Sequence, residues 1–393
     1  MGSAADEIRA LFAVERGAES KGSWAERMRV REFLAERRAA GAFIPRCDSW
    51  LSGFSAEMSA ELGARGWIGM TWPERFGGRG ADSATRYAVV EELLADGAPV
   101  AAHWFADRQI GPGLLRHGTR DQQERLLPAM AAGRLFFCVG MSEPQSGSDL
   151  ASVRTRARRG AGGWLVSGSK IWTSHADRAH YMLALVRTGE PGESPSTALT
   201  QVLIDMAGPG ITVRPIRTLD GSAHFCEVFL DDVAVPDAMV LGAVGRGWSQ
   251  VLGELAYERS GPERFLSTFP LVRDFVARLD GAGGNGLDEL GRLVSRLGAL
   301  RAMSERVNAQ LGQGTAAGLA AALVKDLGTR TENEALEFVR RWIGATVDED
   351  AASPYGELAG ALGHAQAHAP NATLRGGTNE ILRNIVAKGV LDG

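Results

Sequence analysis

The sequence predicts a multidomain chain, helical at both ends and β-rich in the middle. The expected division is a helical N-terminal domain over residues 1–134, a small β-barrel or sandwich over 135–245, and a helical bundle over 246–393. Two observations carry this. Apolar residues recur with the helical period before about Leu135 and after about Gly247. Between those points apolar alternation and β-branched residues dominate, in short runs punctuated by turn residues.

Taken in order, the segment from about Ala4 to Arg134 reads as helices joined by short loops. Trp24 to Arg38 has an apolar stripe with charges on its other faces, and Phe54 to Gly63 repeats the pattern, with Gly63 placed to cap its C-terminus. Trp72-Pro-Glu-Arg-Phe-Gly-Gly78 reads as a loop from its Pro and Gly-Gly. Arg86–Ala95 and Gln122–Ala132 are further helices, the second with Thr119 or Asp121 as its N-cap. The β region contains Trp164-Leu-Val-Ser, Tyr181–Arg187, Thr200–Asp205, Ile211–Pro215 and Cys226–Pro236. The helical period then resumes, interrupted at Gly281-Ala-Gly-Gly-Asn-Gly286, which reads as a surface loop.

The bulk properties narrow the function classes. A chain of 393 residues can build two or three domains with substantial cores. A net charge of −4 argues against a nucleic-acid footprint and gives no support for binding an anionic membrane. No apolar run approaches the roughly 20 residues needed to span a bilayer. The start, Met1-Gly-Ser-Ala-Ala-Asp-Glu, lacks the basic and apolar regions of a signal peptide. Cys47, Cys138 and Cys226 are too scattered for a disulfide framework or a zinc site, and a cytoplasmic enzyme is expected.

Two segments carry chemistry. In Gly140-Met-Ser-Glu-Pro-Gln-Ser-Gly-Ser-Asp149 an apolar run breaks into a Ser/Gly/Pro loop, whose hydroxyls and approachable backbone N–H groups suit a phosphate or an electron-rich heterocycle. Lys170-Ile-Trp-Thr-Ser174 sets an indole beside two hydroxyls near a strand end. Their order and spacing resemble the flavin-binding middle domain of the acyl-CoA dehydrogenase family. The resemblance extends nearly end to end, through Gly66–Pro73, Val90-Glu-Glu-Leu93, His117-Gly-Thr119, Phe229–Pro236 and the tail Gly376-Gly-Thr-Asn-Glu-Ile-Leu-Arg-Asn-Ile385.

The resemblance implies a non-covalently bound FAD and the α,β-dehydrogenation of an acyl-CoA or other acyl thioester, with electrons passed to an electron-transfer flavoprotein. It implies flavin contacts from Met141, Ser142, Trp172, Thr173 and Ser174, with Ser148 near the CoA pantetheine or phosphates. Thr378 and Glu380 would approach the adenine half of FAD. For Trp172 the alternative is a core aromatic, and for Glu380 a carboxylate at a helix N-terminus. A homo-oligomer is implied, or assembly with a related chain.

One departure from the family pattern is chemical. Many members carry the catalytic glutamate directly before Gly-Thr in the tail motif, where this chain has Gly376. Either dehydrogenase activity is lost, leaving a non-catalytic partner subunit, or the base comes from elsewhere. Members resembling isovaleryl-CoA and long-chain acyl-CoA dehydrogenases place it on the first long helix after the β domain, before an arginine. In Leu255-Ala-Tyr-Glu-Arg-Ser260 that glutamate is Glu258 and the arginine Arg259, the alternative being an ordinary pair on a helix surface. Gly376 would keep a backbone N–H for the thioester carbonyl, with a flavin ribityl hydroxyl as second donor; with Gly377 it also fits a tight turn before a helix capped by Thr378 or Asn379. A changed chemistry within the family, as a flavin oxidase or monooxygenase or with a carrier-protein thioester, is a further alternative.

Other features read as structural. The seven histidines show no metal-ligand spacing, Cys138 fits a buried small hydrophobe, and Glu91-Glu92 fits a solvated or capping pair. The family's arginine with a Phe-Gly pair and its Gln-x-x-Gly-Gly-x-Gly stretch have no clear match; Arg278-Leu-Asp-Gly281 and Arg340-Arg-Trp-Ile-Gly344 stand at those places.

Overall fold

The structure is a computed structural model that describes residues 20–190, 192–279, 286–315, 317–346 and 356–391. The helical reading before Ser20 and most of the glycine loop at 281–286 lie outside the described residues. The N-terminal helices are α1 (Lys21–Ala39), α2 (Ala56–Ala64), α3 (Ser83–Ala95), α4 (Ala101–Phe105), α5 (Gly111–His117) and α6 (Arg120–Ala131). The strands are β1 (Phe137–Gly140), β2 (Arg156–Gly160), β3 (Gly163–Ser174), β4 (Tyr181–Arg187), β5 (Leu199–Asp205), β6 (Ile211–Ile216), β7 (Phe225–Pro236) and β8 (Val240–Leu241). The C-terminal helices are α7 (Gly247–Ser260), α8 (Phe269–Ala277), α9 (Gly286–Gly312), α10 (Gly318–Thr346), α11 (Gly356–Ala372) and α12 (Asn379–Leu391). The order helical, β, helical is the expected fold class.

The chain forms two compact units. One contains residues 1–53, 82–99 and 256–393, and the other residues 54–81 and 100–255. The division falls inside α7, between Leu255 and Ala256.

In the first unit, Ser20 caps α1, its hydroxyl accepting from the Ser23 N–H at 3.1 Å. The apolar stripe of α1 is buried at Val30, Phe33 and Leu34. Here Glu91 and Glu92 on α3 correct the sequence reading: they are buried, not solvated. Arg27 pairs with Glu91 at 2.7 Å and with Glu92 at 2.5 Å, Arg31 holds Glu92, and Arg301 of α9 holds Glu91 at 2.6 Å. Burying two adjacent carboxylates is tolerated only because guanidinium groups fill their acceptor sites. A C-terminal core of Leu271, Phe275, Phe338, Val339, Leu358 and Leu362 joins α8, α10 and α11. His364 and His368 also depart from the reading that the histidines lack ligand spacing. They stand one turn apart on α11 with ring centroids at 4.5 Å, and His368 Nδ1 lies 3.4 Å from Asp48 Oδ2.

In the second unit, Thr119 caps α6 and completes a reciprocal capping box with Gln122. Gly63 does not cap α2. It lies inside the helix, where a Cβ would meet the Ala132 carbonyl carbon at 2.3 Å, so the position requires close backbone approach. The strands form one eight-stranded sheet in the order β6-β7-β3-β2-β4-β5-β8, with β1 added beside β4. β1 and β4 run parallel, while β3–β7, β4–β5 and β6–β7 are antiparallel. Cys138, on β1, is fully buried in the core, as expected. The register of β3 against β7 slips between Lys170 and Thr173. That bulge sets the geometry of the candidate site in this unit.

Candidate functional site

The second unit gathers the sequence-predicted flavin contacts around the end of β1 and the bulge of β3. Met141 and Ser142 continue β1 and are tied to β3: the Ile171 N–H donates to the Ser142 carbonyl at 3.0 Å. Within the bulge, Trp172 adopts φ +59 and is 55% exposed, its indole touching Phe225 edge-on at 5.9 Å between centroids. Trp172 is therefore not a core aromatic. A bulky residue in left-handed backbone is strained by about 1–3 kcal/mol, and such strain persists where the surroundings impose it.

Thr173 is the counterpart. It is fully buried, yet its hydroxyl has no hydrogen-bond partner among the described residues. An orphaned buried hydroxyl beside an outward indole fits a polar-edged heterocycle lying on this face. Ser174 is buried next to it, paired with Phe225 in the ladder. Ser148, in contrast, is exposed at the far end of the loop.

Sequence reasoning missed what holds this loop. Lys170 and Glu143 form an ion pair at 2.9 Å with both side chains essentially inaccessible to solvent. Lys170 Nζ also donates to the Leu185 carbonyl at 2.7 Å and the Met141 carbonyl at 3.2 Å. Glu143 accepts from the backbone N–H groups of Arg154 at 2.7 Å and Thr155 at 2.8 Å. Burial pushes the Lys170 ammonium down to about 8, against the pull of Glu143. Burial also opposes ionisation of Glu143, but Lys170 and the loop donors outweigh it and hold the carboxyl below its usual range. A signal was present: a lysine at an inward position of an alternating strand needs a buried partner.

The first unit gathers Glu258, Arg259 and Gly376. Gly376 and Gly377 have φ +68 and +94, a turn that leads into α12. Thr378 stands at the N-cap position, its hydroxyl accepting from the Ile381 N–H at 3.4 Å, and Glu380 is exposed in the first turn. The turn is held by cations. Arg259 Nε donates to the Gly376 carbonyl at 3.0 Å. Lys325 of α10 donates to the Gly377 carbonyl at 2.9 Å and to Asn379 Oδ1 at 3.1 Å. Arg375 reaches Asp48 at 2.5 Å and Ser267 at 3.0 Å. Burial, with Arg264 and Arg375 nearby, pushes Lys325 down to about 7. Burial likewise lowers Arg259.

With its carbonyl engaged, Gly376 keeps an N–H that no backbone or side-chain acceptor takes among the described residues. Glu258 is about one-third exposed, and its Oε1 lies 3.3 Å from Nη2 of Arg264. Glu258 and Arg259 are thus not an exposed pair: each turns to a separate partner. Arg264 was not a sequence candidate.

The chain is similar to known proteins along most of its length. The acyl-CoA dehydrogenase N-terminal domain matches residues 25–134 and the acyl-CoA dehydrogenase middle domain residues 138–233. Acyl-CoA dehydrogenase FadE34 of Mycobacterium tuberculosis is 34% identical over 342 residues, covering 84% of this chain and 45% of that one. The chain thus spans less than half the length of that relative. Acyl-CoA dehydrogenase IpdE1 of Mycolicibacterium smegmatis is 33% identical over 351 residues, covering 84% of this chain and 86% of its own. Among solved structures, the Tcur3481-Tcur3483 steroid ACAD superposes with a TM-score of 0.79 at 27% identity, over 93% of this chain and 98% of that one. Matched in both its helical and its β region, and along most of the length of a relative at one-third identity, the chain belongs to the acyl-CoA dehydrogenase family of flavoproteins.

Proposed function

We propose that the chain catalyses α,β-dehydrogenation of an acyl thioester with FAD as cofactor and an electron-transfer flavoprotein as electron acceptor. The family resemblance supports a three-part division at residues 1–134, 135–245 and 246–393. The observation that carries the catalytic reading is the pairing of a partly exposed Glu258 carboxylate with a Gly376 turn whose N–H is unengaged. A carboxylate alone is too weak to remove an α-proton. A donor to the thioester carbonyl stabilises the enolate as it forms, and this is the role assigned to the Gly376 N–H. Glu258 takes the α-proton onto a carboxylate oxygen. Arg259 fixes the turn by holding the Gly376 carbonyl.

Met141, Ser142, Trp172, Thr173 and Ser174 would hold the flavin ring, Thr378 and Glu380 the adenine half, and Ser148 the CoA side. The bound flavin supplies the acceptor for the β-hydrogen and its electron pair. The steroid name of the structural neighbour makes polycyclic acyl-CoA esters the first substrates to test, with straight-chain esters beside them. Anaerobic mixing of the FAD-loaded protein with each thioester should bleach the flavin absorbance. A protein that takes up no FAD, or flavin that stays oxidised with every thioester, would remove the reading. The second reading, a non-catalytic partner of a related chain, draws on Gly376 and on the two-chain name of that neighbour. It predicts FAD uptake or bleaching only after the related chain is added.

Trp172 offers a separate check on the flavin face. Trp172→Gly removes both the indole and the left-handed strain. The apoprotein should melt at the same temperature or higher, while FAD binding weakens about tenfold, since an aromatic stack contributes about 0.5–1.5 kcal/mol. Unchanged FAD affinity in a titration would place the indole away from the cofactor.

A further inference from the structure

We infer that Arg264 is the positioning residue for the Glu258 carboxylate, seated in the volume that a side chain on residue 376 would otherwise take. The inference rests on the reading of Glu258 as the base.

Sequence adjacency points to Arg259 as the partner of Glu258, but the geometry points elsewhere. Arg259 is spent on the turn, with Nε on the Gly376 carbonyl and Nη2 3.2 Å from where a Cβ on Gly377 would stand. Arg264 follows on the short turn Pro262–Arg264 and is buried, 3% of its side chain being accessible. It grips the end of α7 twice: Nε donates to the Glu258 carbonyl at 2.8 Å, and Nη2 meets Glu258 Oε1 at 3.3 Å. One guanidinium thus fixes both the backbone and the carboxylate of the same residue. Trp50 stacks on it, 5.4 Å from ring centroid to Cζ, and Glu263 Oε1 lies 3.5 Å from Nε.

The same guanidinium lies against Gly376. A Cβ built there would stand 3.1 Å from Nη2, 3.3 Å from Cζ and 3.4 Å from Nη1 of Arg264. These contacts are tighter than a side chain normally accepts, and they come from three atoms of one rigid plane. A side chain at 376 would therefore press on Arg264, which would have to give by a few tenths of an ångström. The two departures from the family pattern become one arrangement: residue 376 has no side chain, and an arginine in the vacated space orients the carboxylate that stands in for it. The groups facing Glu258 are cationic, namely Arg264, the adjacent Arg259, and Lys325 from α10.

The steric half is tested without turnover, by a thermal double-mutant cycle on the purified chain. Gly376→Ala should lower the melting temperature more in the Arg264 background than beside Arg264→Ala, where only the cost of φ +68 remains. Should Arg264→Ala fail to fold, Arg264→Lys serves in the same cycle, since it lacks the plane that meets the Cβ. Additive effects would overturn the shared-volume claim. The orienting half is read from the rate and the substrate dependence of flavin bleaching by an acyl-CoA ester. Arg264→Met should slow bleaching at saturating ester about tenfold while the half-saturating ester concentration and the FAD content stay near wild type, because the carboxylate loses the guanidinium that holds it. Arg264→Lys should recover part of that rate. A wild-type rate in Arg264→Met, with Glu258→Gln inactive, overturns the Arg264 assignment alone. Full bleaching by Glu258→Gln instead overturns the base reading beneath it.

Discussion

Glu258→Gln should slow anaerobic flavin bleaching by an acyl thioester by about 10²–10⁴, the usual cost of losing a positioned general base. Glutamine keeps the size of the side chain and one acceptor oxygen for Arg264, so the carbonyl end of the pair with Nη2 survives. The fold and the FAD content should therefore stay near wild type, and so should thioester binding measured by spectral perturbation of the flavin. Only the capacity to accept a proton is removed. Gly376 cannot compensate, having no side chain, and a glutamate introduced there would crowd Arg264 and sit in left-handed backbone at φ +68. Glu258→Gly combined with Gly376→Glu is therefore expected to recover only part of the activity, and more when Arg264 is shortened as well. Rapid bleaching by the Gln variant would eliminate Glu258 and move the partner-subunit reading ahead.

What the sequence made legible was local. Of the two N-cap candidates for α6, Thr119 and Asp121, it is Thr119 that caps the helix, with Gln122 completing the box. The Met141-Ser142 and Trp172-Thr173 strings are contiguous, so motif reading could find them. The illegible parts depend on where distant segments meet. Glu91 reads as a surface carboxylate until Arg27 and Arg301 arrive from separate helices to bury it. The left-handed backbone of Trp172 follows from a register slip against β7, which strand alternation within β3 does not reveal. Gly63 looks like a helix cap because the approach of Ala132 is not written near it. Arg264 is only six residues from Glu258, yet its role follows from the proximity of Gly376, more than a hundred residues on.

The Lys170–Glu143 pair carries the second large expectation, because its geometry leaves so little slack. Lys170→Met removes one charge from a pair whose side chains are essentially inaccessible to solvent. It also strips the Leu185 and Met141 carbonyls of their donor. Breaking a buried pair from one side typically costs about 3–5 kcal/mol, since the remaining charge is left uncompensated. Glu143 keeps the Arg154 and Thr155 N–H groups, which places the expectation toward the lower end of that range. The loss should appear as a lower melting temperature and, because Lys170 ties down Met141, as reduced FAD content under conditions where the protein is still folded. Adding Glu143→Gln to Lys170→Met should return part of the stability by removing the orphaned charge. The pH dependence has a definite sign. The folded-state value of about 8 lies below the ordinary 10.5, so the unfolded chain binds more protons between those limits. Stability from this site therefore rises with pH across that window, and the gap in melting temperature between wild type and Lys170→Met should widen from pH 8 toward 10.5. A methionine variant as stable as wild type, with full FAD content, would show that the pair only fills space beneath the loop; a gap that narrows with pH would show that Lys170 is not held below its ordinary value.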